Sequence, residues 1–377
     1  MRTLDPGIST SPEVELCQPT VMDLFSGCGG MSLGFKQAGF QPVLAADIDP
    51  DANREYTRNV GLVPQHLDLF DIDGPVLLEL AGLDQGQLDV LVGCPPCQGF
   101  TWLRSRSKEY TTNSLVPKMA KIAAEMLPKY VILENVVGML TYGAVQFGKY
   151  VERLARADYS TVYGIVRAAD YGVPQHRERV IAISTQHDGH ETRLTLPAPT
   201  HANPANARAL GLSPWTTVRG AIADLPALES GESASSPRNH SASCHSEKVL
   251  KIVRAVPHDG GSRRSIPRRF WLDCHKKLKR GAENVYGRMW WDRPGPTVSS
   301  RCTVPACGRF THPEQDRGMT LREALRLQSF PDSYVFSVTT NKAARFLGNA
   351  MPVLLARRLA EHVKQMLYAE WGMAACS

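Results

Sequence analysis

Short apolar runs alternate with helix-like stretches along the first half of the chain. Such runs, rich in β-branched residues, are typical of strands buried in a parallel sheet. Helices are predicted between them at 31–38, which Gly39 would end, around 54–56 and at 118–127. This order predicts an α/β fold with a doubly wound parallel sheet and right-handed crossovers. The predicted strands are residues 21–24, 42–46, 65–68 (the weakest), 88–92 and 130–133.

The second half of the chain is less regular. A helix near 150–157 precedes two closely spaced strands, 161–167 and 179–184. Residues 196–300 are rich in Pro, Ser, Gly, Arg and His and show little periodicity, which indicates a second, less regular domain or a large insertion. Helical patterns return at 320–328 and 352–367.

A thiol and a carboxylate follow two of the predicted strands. Cys94-Pro95-Pro96-Cys97 comes soon after the run 88–92, and Glu134 comes directly after 130–133. In open α/β sheets, ligands bind outside the carboxyl ends of the strands, so these groups can share one pocket. The sequence therefore predicts a cysteine nucleophile with an acid beside it.

Two arginines could activate that thiol. A free thiol has a pKa near 8.5 and needs positive neighbours to ionise at neutral pH. Arg177 and Arg179 could supply them, although both could equally belong to a solvated charged turn. The spacing of Cys94 and Cys97 also permits a redox pair or half of a metal site, and a buried structural thiol is a further alternative.

The segment 25–30, between the first predicted strand and its helix, carries three glycines. Glycines at such a junction let backbone N–H groups approach a ligand at the helix N-terminus. The spacing is not Gly-x-Gly-x-x-Gly and no Walker lysine follows, so neither a dinucleotide nor a triphosphate is the first choice. Asp47 would suit a ribose hydroxyl pair, and Asp68 could accept a hydrogen bond from an adenine amino group. A tight turn without a ligand remains the alternative.

Composition limits the classes of protein. No apolar run approaches the roughly 20 residues that a membrane helix needs, and residues 1–18 lack the apolar centre of a signal peptide. Nine cysteines in 377 residues therefore indicate reduced cytosolic thiols. Cys-His neighbours such as Cys244-His245 and Cys274-His275 fit no standard zinc spacing, so no metal is predicted.

Positive charge is concentrated between residues 263 and 280. This stretch has eight Lys or Arg residues and one acid, Asp273, with Phe270 and Trp271 interleaved. A solvated basic surface is one interpretation, and contact with nucleic-acid phosphates is the other. The net charge of +6 permits a nucleic-acid partner without requiring one.

Six motifs share a single order with a known family. They are Asp23-Leu24-Phe25-Ser26-Gly27-Cys28-Gly29-Gly30, Pro96-Cys97-Gln98-Gly99-Phe100, Glu134-Asn135-Val136, Gln175-His176-Arg177-Glu178-Arg179, Thr320-Leu321-Arg322-Glu323-Ala324-Leu325-Arg326-Leu327-Gln328-Ser329-Phe330-Pro331 and Gly348-Asn349-Ala350-Met351-Pro352. In these motifs the chain resembles the cytosine-C5 DNA methyltransferases of bacterial restriction–modification or orphan type. The resemblance covers nearly the whole chain except the N-terminal tail and most of 190–295.

The resemblance implies a Rossmann-like sheet that binds S-adenosylmethionine, with a smaller irregular target-recognition domain. The expected parts are a flexible tail (1–18), a catalytic and cofactor-binding domain (19–189), the target-recognition domain (190–295) and a segment that completes the catalytic domain (296–377). Thr101 stands where the family more often has serine, and Ile48 where it often has a bulkier side chain.

The resemblance also implies roles for individual residues. Cys97 would add to C6 of the target cytosine, Glu134 would hold and protonate N3, and Arg179, supported by Gln175 and Arg177, would bind the base. The expected cofactor residues are Phe25, Ser26, Gly27, Gly29, Asp47, Ile48, Asp68 and Asn349. The expected DNA contacts are Arg104, Arg106, Arg263, Arg264, Arg268 and Arg269, of which the first two lie in a polar segment that could close over a flipped base.

The expected activity is methyl transfer to C5 of cytosine within a specific duplex DNA sequence. A monomer in a prokaryotic cytoplasm, associated with the nucleoid, is expected, with a cognate restriction endonuclease as a further partner. The alternatives are transfer RNA methylation on the same scaffold, a DNA-binding protein without activity, and a thiol oxidoreductase.

Overall fold

A seven-stranded sheet forms the centre of the computed structural model, which describes residues 18–96, 100, 111–186, 194–276 and 283–371. The strands are β1 (Thr20–Leu24), β2 (Gln41–Asp47), β3 (Gln65–His66), β4 (Val90–Gly93), β5 (Tyr130–Val136), β6 (Tyr159–Arg167) and β7 (Glu178–Gln186). Their order across the sheet is β3-β2-β1-β4-β5-β7-β6. The predicted α/β fold is confirmed.

The parallel sheet predicted from the first five strands has an antiparallel edge, for which no strand direction was predicted. Strands β1 to β5 pair in parallel, but β7 runs antiparallel to both β5 and β6. Only residues 168–177 separate β6 from β7. A parallel connection needs a dozen or more residues, so this short link favours the antiparallel pair.

Helices cover both faces of the sheet and extend into the irregular part of the chain. Neither α3 nor α11 was predicted; α3 is short and begins with the pair Gly74-Pro75, which is typical of a loop. The helices are α1 (Gly30–Gln37), α2 (Pro50–Val60), α3 (Gly74–Ala81), α4 (Leu115–Met126), α5 (Ala144–Arg156), α6 (Pro204–Leu210), α7 (Val218–Ile222), α8 (Glu247–Ala255), α9 (Asp273–Lys276), α10 (Leu321–Leu327), α11 (Thr340–Asn349) and α12 (Val353–Trp371). None of them, within the described residues, is long and apolar enough to cross a membrane.

The core has two layers because successive strand residues point to opposite faces. In β5, Val131 and Leu133 pack with α4 and α5, whereas Tyr130 and Ile132 pack with α1 and α12. The last helix therefore covers the same face of the sheet as the first, and α12 lies directly against α1.

The region between β7 and α10 has little regular structure. A two-stranded parallel ribbon pairs β8 (His201–Ala202) with β9 (Ser213–Pro214). Elsewhere, buried side chains hold the backbone: Arg288, fully buried, donates hydrogen bonds to the carbonyls of Val253, Val256, His312 and Gln315. Side-chain donors thus replace the hydrogen bonds of a sheet.

Two glycine substitutions should have opposite effects on stability, because one glycine lies where α1 and α12 approach closely and the other lies in open space. A Cβ at Gly34 would lie 2.5 Å from the Cβ of Ala356, so we expect Gly34→Ala to lower the free energy of unfolding by about 1–3 kcal/mol. Gly148 lies at an exposed position of α5, and no atom lies within 4 Å of the new Cβ. Gly148→Ala should therefore raise the free energy of unfolding by about 0.5–1 kcal/mol. Urea unfolding followed by circular dichroism measures both; a shift of the same sign in both variants would contradict the packing.

Candidate active site

Four strand ends lie at one level at the carboxyl edge of the sheet. Leu24 of β1 is opposite both Ala46 and Gly93, and Gly93 is opposite Leu133. A cavity of about 510 Å³ opens there, a size typical of small-molecule sites. The residues that follow the four positions all line it: Phe25, Asp47, Cys94 and Glu134.

Most of the predicted cofactor residues line this cavity. They are Phe25, Ser26, Gly27, Asp47, Ile48, Asp68 and Asn349, and Glu134, Arg177 and Arg179 line it as well. Gly29 is the exception. Its φ of 87° and a would-be Cβ only 2.6 Å from Val60 show that it permits a turn packed against α2.

Hydrogen bonds fix the glycine loop to β2. The Gly27 N–H donates to Asp47 Oδ2 at 2.9 Å, and the Ser26 N–H donates to the carbonyl of Ala46 at 3.1 Å. Phe25 has a φ of 59°, a conformation that bulky residues rarely adopt. Such strain is characteristic of functional sites, where the surrounding structure holds the backbone in place.

Within residues 23–30 of the cavity wall, two buried polar atoms have no hydrogen-bond partner among the described residues. They are Asp23 Oδ1 and Ser26 Oγ. The other carboxylate oxygen of Asp23 accepts a hydrogen bond from Ser32 at 2.5 Å, and burial raises the pKa of Asp23 to about 7. Since unpaired buried polar atoms are costly, these two fit a polar ligand that would bond to them.

Two of the residues that line the cavity expose apolar side chains. Ile48 is 60% exposed and Phe70 is 38% exposed, yet both line the cavity. Asp68 lies beside them and accepts a hydrogen bond from the Phe70 N–H through Oδ1. Two apolar side chains with an adjacent acceptor fit a flat heterocycle that carries an amino group.

Glu134 and Arg179 form a buried ion pair in the cavity wall. Glu134 Oε1 lies 2.9 Å from Arg179 Nε. Glu134 is opposite Ile181 in the β5–β7 pair and Arg179 is opposite Val136, so the two side chains are diagonal neighbours on one face. The antiparallel edge that the sequence did not predict is what brings them together.

The predicted nucleophile, Cys97, lies outside the described residues, as do Arg104 and Arg106. The residues on both sides of Cys97 are fastened near the end of β5. Asn135 donates a hydrogen bond to the Pro95 carbonyl at 3.0 Å, and Phe100 is buried where a Cβ at Gly138 would collide with its carbonyl.

Cys94 is described, and its surroundings oppose ionisation. Burial raises the pKa of the Cys94 thiol well above its usual value, and the nearby Glu134 raises it further. A protonated thiol is a poor nucleophile and a poor metal ligand.

Gln175 and Arg177, in the link between β6 and β7, bind backbone groups of the C-terminal part of the chain. Fully buried Gln175 accepts a hydrogen bond from the Val298 N–H at 2.7 Å. Arg177 donates to the carbonyls of Val298, Gly348 and Ala350. Gln175 does not line the cavity, and a backbone tether explains its position.

The family profile described as C-5 cytosine-specific DNA methylase matches residues 19–365. The chain belongs to this family. The expected enzyme class, a DNA (cytosine-5-)-methyltransferase, is thereby confirmed.

Relatives of the methylase include enzymes of restriction–modification systems. The type II methylase M.HgiDII of Herpetosiphon aurantiacus is 32% identical over 354 residues, which cover 92% of this chain and 95% of the relative. The type II methyltransferase M1.HphI of Haemophilus parahaemolyticus is 33% identical over 355 residues, which cover 92% and 87%.

Solved structures support the methylase fold. A DNA modification methyltransferase encoded within an E. coli prophage superposes with a TM-score of 0.72 at 22% identity, covering 93% of this chain and 99% of the other. The S. pombe Dnmt2 methyltransferase superposes with a TM-score of 0.60 at 18% identity, with the same coverage. At these identities the likeness concerns the fold alone.

One predicted DNA contact of the methylase is buried. Arg263 is only 3% exposed. Its guanidinium lies 4.3 Å from the centre of the Trp271 ring and donates a hydrogen bond to the His275 carbonyl, so the side chain packs within the irregular region. Arg268 and Arg269 are exposed, and so is Arg264, which pairs with Glu283.

Several cavity residues of the methylase were missed in the sequence. Asp23 could have been noticed as a carboxylate inside an apolar strand. Phe70 follows Asp68 without any pattern that marks it. Asp49 caps α2 and pairs with Arg345 at 2.8 Å across the cavity wall, a contact that sequence separation hides. No group of three or more potential metal ligands occurs within the described ranges.

The raised pKa of Asp23 predicts a pH-dependent stability. The folded chain keeps a proton that the unfolded chain releases above about pH 4, so this residue lowers stability as the pH rises from about 4 to 7. Asp23→Asn cannot titrate. The free energy of unfolding of this variant, relative to that of wild type, should therefore rise between pH 5 and 7, with a slope of at most about 1.4 kcal/mol per pH unit. Urea unfolding without cofactor measures the difference.

Asp73→Asn is the matched control for this experiment. Hydrogen bonds from Lys118 and Lys121 hold the pKa of Asp73 at about 2, so it stays ionised across the same range. Its stability difference from wild type should not change between pH 5 and 7. A pH-independent difference for Asp23→Asn would show that Asp23 is ionised in the folded protein.

Proposed function

We propose that this chain methylates C5 of cytosine within a specific duplex DNA sequence, using S-adenosylmethionine, base flipping and covalent addition of Cys97 to C6. The observation that carries the proposal is a single cavity that holds both the glycine loop and the Glu134–Arg179 pair. A cofactor pocket and a polar site for a planar base would then lie side by side.

The cofactor would occupy the part of the cavity between the glycine loop and Ile48. Ser26 Oγ and Asp23 Oδ1 would bond to its polar groups, and Asp47 would face the ribose. Ile48 and Phe70 would pack on the adenine, with Asp68 near the amino group. Bound there, S-adenosylmethionine supplies an electrophilic methyl group.

The chain's own residues would prepare the base to accept that methyl group. The Cys97 thiolate would form a bond to C6, which moves the electron pair of the C5–C6 double bond to C5. Glu134 would protonate N3, so that negative charge does not accumulate on the ring. After methyl transfer, loss of the C5 proton and elimination of Cys97 would restore the double bond.

Arg179 would hold Glu134 in place as well as bind the base. Their contact at 2.9 Å fixes the carboxyl group of Glu134 on β5, and its other oxygen would face the ring nitrogen. Arg177 and Gln175 would act as positioning residues, because their hydrogen bonds go to backbone groups of 298 and 348–350.

DNA would be read by residues 190–295, inserted between the catalytic segments 19–189 and 296–377. Arg264, Arg268 and Arg269 are exposed and would contact phosphates, and Arg104 and Arg106 would act from the segment that follows Cys97. We further propose a monomeric cytoplasmic enzyme in a prokaryote, with a cognate endonuclease that acts on the same site, as the names of its type II relatives suggest.

The alternative functions have less support. The matching profile and the relatives above are DNA methylases, so transfer RNA methylation is not favoured. A thiol oxidoreductase would need a reactive Cys94, and its raised pKa opposes this.

Sequencing of methylated DNA tests the proposal directly. We expect DNA from cells that lack cytosine methylation but express this chain to carry 5-methylcytosine in one short motif, detected by bisulfite conversion. Purified protein should methylate duplex DNA and not transfer RNA. Unmethylated DNA, from folded protein that still binds S-adenosylmethionine, would contradict it.

Two cysteine substitutions separate the nucleophile from its neighbour. Cys97→Ser should reduce methyl transfer by at least a thousandfold, because an alcohol is far less ionised than a thiol at neutral pH. Cys94→Ser should retain activity within about tenfold, since its thiol is protonated in the folded protein. Initial rates with a labelled methyl donor measure both, and abolished activity in Cys94→Ser alone would favour the oxidoreductase.

A further inference from the structure

A second cavity, of about 670 Å³, lies beside the first and shares Arg179 with it. Its wall also includes Arg167, His176, Glu178 and Trp215. The ion pair that closes one side of the first cavity therefore borders the second. If a flipped base lay against Glu134, the neighbouring nucleotides of the same DNA strand would lie within reach of this second cavity.

Trp215 is held in that wall from three directions. Its indole Nε1 donates a hydrogen bond to Asp170 Oδ1 at 2.7 Å. The His176 ring meets it edge-to-face at 5.4 Å between centroids, and the Arg167 guanidinium lies 5.8 Å from the ring centre. The side chain is nevertheless only half-buried, so part of the ring stays exposed in a fixed orientation.

The two arginines that line this second cavity are each paired with a carboxylate. Arg167 pairs with Glu178 at 3.0 Å, and Arg179 pairs with Glu134. Burial lowers the pKa of His176 and Arg167 lowers it further, whereas Glu178 and Asp170 oppose this shift, so the wall carries charges of both signs. Aromatic side chains on which bases stack, with arginines nearby, are typical of proteins that bind unstacked nucleotides.

We infer that Trp215 stacks on the base next to the target cytosine in bound DNA. The inference rests on the proposed function, because it takes the Glu134–Arg179 side of the first cavity as the site of the flipped base. Flipping removes the stacking partner of each neighbouring base. The indole would replace that partner on one side and so favour the flipped state.

Two variants separate stacking from a structural role of Trp215. Trp215→Ala removes the ring, and Trp215→Phe keeps an aromatic ring but loses the bond to Asp170. The matched control Asp170→Ala removes the same bond and leaves the indole. The probe is a duplex oligonucleotide that carries the motif found by sequencing with the wild-type enzyme.

Trp215→Ala should raise KM for this duplex about tenfold, as expected for the loss of one base–aromatic stack, with kcat within about twofold of wild type. Trp215→Phe and Asp170→Ala should stay within about threefold of the wild-type KM. Affinity for S-adenosylmethionine, measured by calorimetry, should be equal in all four proteins. An unchanged KM in Trp215→Ala overturns the inference, as does an equal loss in Asp170→Ala.

An abasic substitution in the DNA tests the same contact without a protein variant. Removing the flanking base on one side of the target should raise the wild-type KM about tenfold and leave the Trp215→Ala value unchanged. If Trp215→Ala does not fold, the wild-type result decides alone, and indifference to abasic sites on both sides overturns the inference. Absence of methylation by wild type is a separate outcome that removes the proposed function itself.

Discussion

Buried arginines supply the hydrogen bonds that the irregular half of this methylase lacks. A segment without helix or strand leaves backbone carbonyls unpaired, and an unpaired buried carbonyl is costly. Each guanidinium offers five donors, enough to join several carbonyls from distant segments. Arg177, Arg288, Arg317 and Arg322 are all buried, and each contacts backbone carbonyls of irregular segments. The site depends on this arrangement, because Arg177 holds the C-terminal end of α11 and Ala350 beside the cavity.

The sheet could be predicted because its signal is local. Apolar runs such as 88–92 and 130–133 can be recognised in any short window of sequence, and β4 and β5 lie there. The direction of β7 could not be recognised in the same way. It depends on the number of residues that link β6 to β7, which is smaller than the number that a parallel crossover connection requires. The irregular region offered no periodicity at all, since its order comes from long-range side-chain bonds such as those of Arg288.

The candidate site could be predicted where residue type and strand end coincide, as for Asp47 and Glu134, which both line the cavity. Family resemblance added Asn349, which no local pattern would connect to the sheet. At other positions the sequence does not show which side chains are buried in the folded protein. Arg263 has the same residue type and sequence context as Arg264, yet one packs under a tryptophan ring and the other reaches the surface. A basic run therefore does not reveal which of its members are available to a partner.

The contact between α1 and α12 has a consequence for synthesis on the ribosome. Translation delivers α1 and the first strands early, whereas α12 emerges only after the whole irregular region. Until then, Phe35 and the sheet residues Val21 and Val90, which belong to one core cluster with α12 in the finished fold, lack the part of their cover that α12 supplies. Pairings this distant in sequence raise the contact order and slow folding. The nascent chain must carry an uncovered apolar surface for most of its translation, which makes it a natural client for chaperones.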